Sequence, residues 1–316
     1  MELHVGAPAR ATLDEQVAFM QRAESLGFSG AGVAEDRRFG DPFETLRAAA
    51  DATSRIWLYP AVVNPVSRTP EVLANQTRDL FARAPGRIKL AIGAGDAALS
   101  EANQRPASLR QLKSAIVEIR SRLSEGSTTL FDRLPKGTPT RLLPPPVLLA
   151  ASGAKNLETA GQTADGVLVT SGLTYRAREA VMDAVAQGAI NAGRRSRNIP
   201  ITYYSLVSID EDRDKAIERT RPWIHFWLGR GMFNLSLRAL EMPTPRFLTA
   251  DAIPSAFLHR LANELVLAGT PREVSARVAR LNADGVSSLF LMLPGGIRQH
   301  EISLEQIASH VLIAAG

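Results

Sequence analysis

About eight short apolar runs, each followed by a helical pattern, recur through 316 residues with no linker between them. This alternation predicts an α/β fold, a (β/α)8 TIM barrel with insertion loops. Several of the helical stretches also open on Pro or on a capping Thr, as helices that follow strands do. A doubly wound sheet is the alternative, but it rarely sustains the alternation over such a length in one domain. Residues 1–316 are therefore read as one barrel domain.

The elements follow in order. Leu3–Gly6 reads as the first strand. Thr12 caps a helix to about Leu26, with Glu15 as its reciprocal partner and Gly27 as its stop. Gly30–Ala34 is the second strand and leads into the charged loop 35–38. Pro42 opens a helix over Phe43–Thr53. Ile56–Val63 is the third strand, broken by Asn64-Pro65, and Pro70 begins the helix Glu71–Arg83. Ile88–Ile92 is the fourth strand and ends in Gly93-Ala94-Gly95-Asp96. The pattern then repeats with helix Ser108–Leu123, strand Pro146–Ala150, helix Asn156–Thr163, strand Gly166–Val169 and helix Tyr175–Ala192. Strand Ile201–Ile209 and helix Asp212–Leu228 follow. Thr270 and Glu273 form a capping box for a helix to Asn282, before the last strand, Val286–Leu293, and a closing helix, Ser303–Ala314. Residues 128–145 read as a surface loop. Residues from about 229 to 260 break the alternation and read as an irregular lid or insertion.

Composition narrows the function. Hydrophobic residues at 45% and charged residues at 22% mark a globular chain that can bury a sizeable core. The absence of cysteine excludes disulfides, thiolate metal sites and a cysteine nucleophile. A formal charge of +5 is spread along the chain, which argues against a nucleic-acid arm and leaves an anionic small ligand in view. No apolar run approaches the roughly 18 residues of a membrane span, and the N-terminus enters an apolar alternation directly, so a cytoplasmic enzyme is expected. The five histidines lack metal-ligand spacing, and no metal site is expected. His225, between Trp223 and Trp227, reads as a packing residue.

In a barrel of this type, function gathers in the loops after the strands. Gly93-Ala94-Gly95-Asp96 is a glycine turn where backbone can approach a planar ligand, with Asp96 as an acid at the mouth; the same turn can also be an ordinary one with a solvated carboxylate. Ser152-Gly153 precedes a helix whose first amides suit a phosphate or carboxylate, or make a plain strand-to-helix turn. Thr170-Ser171-Gly172, followed by Arg176 and Arg178, adds hydroxyls and cations one strand later. Together these segments would form an anion pocket.

Glu24-Ser25-Leu26-Gly27-Phe28, Asp41-Pro42-Phe43-Glu44-Thr45-Leu46 and Thr53-Ser54-Arg55-Ile56 resemble the luciferase-like superfamily of flavin- and deazaflavin-dependent oxidoreductases. The likeness continues through 61–70, with Asn64-Pro65, Arg68 and Pro70, and through Gly86-Arg87-Ile88 to Asp96. It resumes at Ala164-Asp165-Gly166 and Gly269-Thr270-Pro271-Arg272-Glu273-Val274. Within the superfamily the chain is most similar to the methylenetetrahydromethanopterin reductase-like, coenzyme F420-dependent members.

The resemblance implies a barrel, usually a homodimer, that holds an isoalloxazine-like ring at its C-terminal mouth against a bulge with a non-prolyl cis peptide, here Ala61–Val62. It implies that Val63 and Asn64 line the ring, beside Gly93 and Gly95, and that Ser152, Gly153, Ser171, Gly172 and Arg176 lie at the phosphate end. Asp96 matches the acidic residue that relatives place near ring and substrate. Asp36 stands where many relatives carry a histidine facing the ring. The function implied is hydride transfer between F420 and an electron-poor C=N, C=C or C=O bond of a small organic substrate. An FMN-dependent monooxygenase is the alternative, and a non-catalytic flavin-binding barrel a second one.

Overall fold

The computed structural model of the chain is described here for all residues except 36–39, 101–102, 126–142, 195–198 and 316, and the side chains of Ala97 and Ser100. Two expectations, Asp36 and most of the 128–145 loop, lie outside the described residues.

The N-terminal half carries β1 (Glu2–Gly6), α1 (Leu13–Leu26), β2 (Gly30–Val33), α2 (Pro42–Ala52), β3 (Trp57–Pro60), α3 (Pro70–Arg83), β4 (Leu90–Ile92), a short α4 (Asp96–Ser100) and α5 (Leu109–Glu125). The C-terminal half continues with β5 (Val147–Ala151), α6 (Ala154–Thr163), β6 (Gly166–Val169), α7 (Tyr175–Asn191) and β7 (Ile201–Ile209). Then come α8 (Arg213–Glu218), α9 (Arg221–Gly229), α10 (Asn234–Ala239), α11 (Ser255–Leu265), β8 (Leu267–Gly269), α12 (Pro271–Ala283), β9 (Ser288–Met292) and α13 (Ile297–Ile307).

Eight parallel strands run side by side in the order β3-β2-β1-β9-β7-β6-β5-β4. The ring closes between β3 and β4 through bridges at Leu58–Ile88 and Val63–Ile92. This is the (β/α)8 barrel read from the alternation. β8, not expected from sequence, pairs with the far end of β7 at Val207–Ile209. Its apolar run, residues 265–268, is continuous with the end of α11, so the sequence does not separate strand from helix there.

Strand alternation separates two apolar layers. Leu3, Val5, Leu58, Leu90, Ile92, Val147, Leu149, Leu289 and Leu291 join the core beneath the helices. Tyr59, Ala61, Ala91, Leu148, Leu168 and Phe290 fill the barrel itself. At its N-terminal end, Lys89 lies 4.6 Å from the Trp57 ring, and fully buried His4 lies 3.1 Å from Glu2.

Much of the sequence that carries the family likeness turns out to hold helices to strands. Glu24 at the end of α1 accepts N–H bonds from Ser54, Arg55 and Ile56 at 2.9, 2.5 and 2.9 Å. Arg87 donates to the carbonyls of Ala50 and Thr53, each at 2.7 Å. Asp165 accepts from Val147 N at 3.0 Å, and Thr270 and Glu273 form the expected capping box.

The stretch after β7 differs most from expectation. The single helix 212–228 is two, because Pro222 has no N–H to give and its ring excludes a continuing turn. Residues 229–260 are helical in part, and they pack with α9 and α11 around a second core of Ile224, Trp227, Phe233, Leu237, Leu258 and Leu265. These helices are short and several lack a side-chain cap, so local signals for them are weak. His225 Nε2 lies 3.0 Å from Phe247 O inside this unit, a structural contact.

Candidate active site

The floor of the barrel mouth is aromatic. Tyr204 stacks on Phe290 with centroids 4.8 Å apart and planes 7° from parallel, and Tyr59 meets Phe290 edge-on at 5.9 Å. Such pairs add about 0.5–1.5 kcal/mol each beyond burial and close the barrel to water from below. Above this floor the inward positions are small. A methyl group on Gly32 would lie 2.7 Å from Phe290 Cε2, and one on Gly6 3.3 Å from Cε1. On Gly93 it would lie 2.9 Å from Val62 Cγ2 and 3.5 Å from Ala150 Cβ. Ala34, one residue past β2, is exposed. The mouth is thus a cradle of bare strand backbone against which Phe290, Ala61 and Val62 pack directly.

One wall of the cradle is the bulge after β3. The Ala61–Val62 peptide is cis. Ala61 N donates to Val33 O at 2.7 Å, and pairing with β4 resumes at once through Val63 N to Ala91 O and Gly93 N to Val63 O. Asn64 is buried to 1% exposure. Its Oδ1 accepts from the amides of Val66 and Ser67, and its Nδ2 donates to Glu35 at 2.6 Å. Burial raises the Glu35 carboxyl above its ordinary range, opposed by Arg68, Ser67 and Asn64. Arg68 also bonds Asp41 at 3.0 Å, and Asp41 caps α2 through Phe43 N. Gly95, at φ +85°, turns the chain past Asn64, and Asp96 follows, exposed, as the first residue of α4.

The opposite side supplies helix ends. Gly153 and Thr174 precede α6 and α7 with no side-chain cap, and the space around Gly153 is open. Thr12, Asp41, Thr69 and Thr270 do cap their helices, whereas the helix starts after β5, β6 and β9 have no side-chain cap. First-turn amides without a partner carry positive potential and attract anions. Ser152 is half-buried beside them and Arg176 is exposed on the first turn of α7.

Ser171 and Gly172 are more deeply placed. Ser171 is buried, Gly172 N donates to Ser236 Oγ at 2.8 Å, and a methyl group on Gly172 would lie 2.6 Å from Leu265. Arg178 departs from the expected anion pocket: it is buried and bonds Asp284 at 2.5 Å, so its charge is already matched. The reading from sequence treated Glu35 only as a loop neighbour and passed over Gly6 and Gly32. A carboxylate after a strand gives no sign of whether it will be buried, but glycines at alternate strand positions are a legible sign that large side chains, here His4 and Phe290, pack on the backbone. Among the described residues no group of three or more His, Cys, Asp or Glu could hold a metal, and no helix is long and apolar enough to cross a membrane.

With this geometry in place, the comparisons are decisive at the level of family. The family model of luciferase-like monooxygenases matches residues 1–288. The chain belongs to that family. It is 26% identical over 295 residues to the 5,10-methylenetetrahydromethanopterin reductase of Methanolobus tindarius, covering 88% of this chain and 90% of the relative. It is 29% identical over 265 residues to an F420-dependent glucose-6-phosphate dehydrogenase of Kineococcus radiotolerans, covering 78% and 74%. The coenzyme F420-dependent tetrahydromethanopterin reductase of Methanopyrus kandleri superposes with a TM-score of 0.77 at 22% identity, over 100% of this chain and 99% of that one. The protein is an oxidoreductase of the luciferase-like family.

Proposed function

We propose that the protein transfers hydride between coenzyme F420 and an electron-poor C=N, C=C or C=O bond of a small organic substrate. The observation that carries this reading is the mouth itself, where the uncapped starts of α6 and α7 lie at the same end of the barrel as the bulged wall and the bare backbone of Gly6, Gly32 and Gly93. The naming of F420 for the Kineococcus radiotolerans relative supports the choice of ring. A bound 5-deazaflavin supplies a two-electron hydride carrier that reacts poorly with oxygen.

The chain's own residues provide the rest. Val62 forms the wall behind the ring, backed by buried Val63 and Asn64, and Phe290 with Tyr204 keeps water out of the barrel below it. Ser152, Gly153 and the first amides of α6 hold the phosphate end, with Arg176 at the rim. Asp96 exchanges a proton with the acceptor from its exposed place after the Gly95 turn. Asp36, at a sequence position where many relatives carry a histidine, is proposed to alter the charge offered to the substrate.

FMN-dependent monooxygenation is the second reading, favoured by the monooxygenase description of the matching family. Titrating the protein with F420 and with FMN, followed by absorbance and fluorescence, separates them. Tight FMN binding with no F420 binding refutes the leading reading, and turnover of reduced F420 with a panel of carbonyl, imine and enone acceptors supports it.

A further inference from the structure

Glu35 follows β2, yet its carboxylate reaches the segment after β3. Oε2 accepts from Asn64 Nδ2 at 2.6 Å, Oε1 accepts from Ser67 Oγ at 3.1 Å, and Arg68 Nη1 stands 3.5 Å away. Its backbone N–H donates to Val62 O at 3.4 Å, so both ends of the residue are fastened to the bulged wall. Asn64 in turn packs against the β4 turn, since a methyl group on Gly95 would lie 2.8 Å from Asn64 Cγ. One carboxylate therefore sets the spacing of the segments after β2, β3 and β4. Only 4% of its side chain is exposed, too little to touch a ligand.

We propose that Glu35 is a positioning residue of the barrel mouth: it fixes the wall at 61–68 and the turn at 93–96, and so governs how tightly a ring coenzyme is held. This rests on the reading of the mouth as a coenzyme site. Removing the acceptor leaves buried Asn64 Nδ2 without a partner, which favours opening of the segment.

The described charged groups facing Glu35 are Arg68 and, behind it, Asp41 on α2, which bonds the other Arg68 nitrogen at 3.0 Å. Burial outweighs these partners and raises the carboxyl. An opened segment would let Glu35 ionise at its ordinary value, so ionisation favours opening and protonation favours closure. Closure thus strengthens as pH falls through the range of Glu35.

The test compares wild type, Glu35→Ala and Glu35→Gln by amide exchange of the ligand-free protein and by fluorescence titration with F420 and with FMN. In Glu35→Ala, exchange at 61–68 and 93–96 is expected to rise about tenfold or more, with a similar loss of affinity for whichever coenzyme the wild type binds. Glu35→Gln keeps an acceptor for Asn64 and a donor for Ser67, and is expected to restore both to within about threefold of wild type. Unchanged exchange in Glu35→Ala overturns the proposal, and so does equal damage from both variants. Should Glu35→Ala fail to fold, the pH dependence decides. After correction for the intrinsic exchange rate, opening of 61–68 in wild type becomes rarer as pH falls, and Glu35→Gln lacks that limb; the same limb in Glu35→Gln overturns the proposal. A wild type that binds neither coenzyme refutes the function proposed above, while the exchange result still decides whether Glu35 positions the mouth.

Discussion

The wall of the cradle can be displaced by one methyl group. In Gly93→Ala the new Cβ would stand 2.9 Å from Val62 Cγ2 and 3.5 Å from Ala150 Cβ. The second distance is ordinary contact; the first is not. Val62 cannot easily give way, because a β-branched side chain has few alternative χ1 positions. Overpacking of this kind costs about 1–3 kcal/mol. The φ of Gly93 lies outside the left-handed region, so alanine also gains about 0.4–1 kcal/mol by restricting the unfolded chain. The net loss of stability is about 0–2.5 kcal/mol, a fall in Tm of no more than about 6 °C for a chain of this size. Binding should suffer more, since the displaced Val62 belongs to the wall proposed to back the ring. A tenfold weaker Kd, about 1.4 kcal/mol, is the smallest effect consistent with that reading. Thermal melts followed by circular dichroism measure the first quantity and coenzyme fluorescence titration the second. Gly229→Ala serves as the control: it adds a methyl group to open space at the end of α9, and neither quantity should fall. If Gly93→Ala binds coenzyme as tightly as wild type while folding normally, the ring does not lie against Gly93.

Asp96→Asn should slow hydride transfer by about 10²–10⁴-fold in single-turnover mixing if Asp96 exchanges the proton, and unaltered rates with every acceptor remove that role. Asp284→Asn leaves the Arg178 guanidinium, 5% exposed, without its countercharge, and should cost about 3–5 kcal/mol in urea unfolding. Arg178→Met, which leaves only the more exposed Asp284, should cost clearly less; the reverse order would show that the buried charge is not what the pair stabilises. Glu24 is buried somewhat against its charge, but the amides of Arg55, Ile56 and Ser54 outweigh this and lower its carboxyl. Its contribution is therefore present above the ordinary value and lost as pH falls through the lowered one. Wild type should lose stability over that acid range more steeply than Glu24→Gln, and parallel profiles would dismiss the linkage.

How much of this was legible follows from where each signal resides. The barrel was readable because strand and helix periods are local, and because Thr12, Pro42, Pro70 and Thr270 mark helix starts within a few residues. The helices between 229 and 260 were not, because they depend on a shared core assembled from residues 206 to 268 rather than on their own caps. The resemblance named the family correctly, yet many residues that carry it are structural. Glu24 and Arg87 tie α1, α2 and β3 together, and Asp165 ties β6 to β5. Such residues fix the fold and leave the substrate unstated. The cis bond at Ala61–Val62 lies where the resemblance put it.

The excess of positive charge needs the same separation. Read from composition, it pointed to an anionic ligand. The structure places Arg87, Arg194, Arg221 and Arg277 on backbone carbonyls of their own chain, and Arg178 on Asp284. These guanidiniums are committed to holding loops and helix ends, as a planar group with five donors can do for several carbonyls at once. Net charge therefore says little about the ligand. The argument for a phosphate rests instead on geometry: two consecutive helices, α6 and α7, begin without side-chain caps at the same end of the barrel, beside a cradle of bare glycine backbone. A sequence shows which residues are missing at those caps, but only the fold brings the two uncapped ends to one mouth.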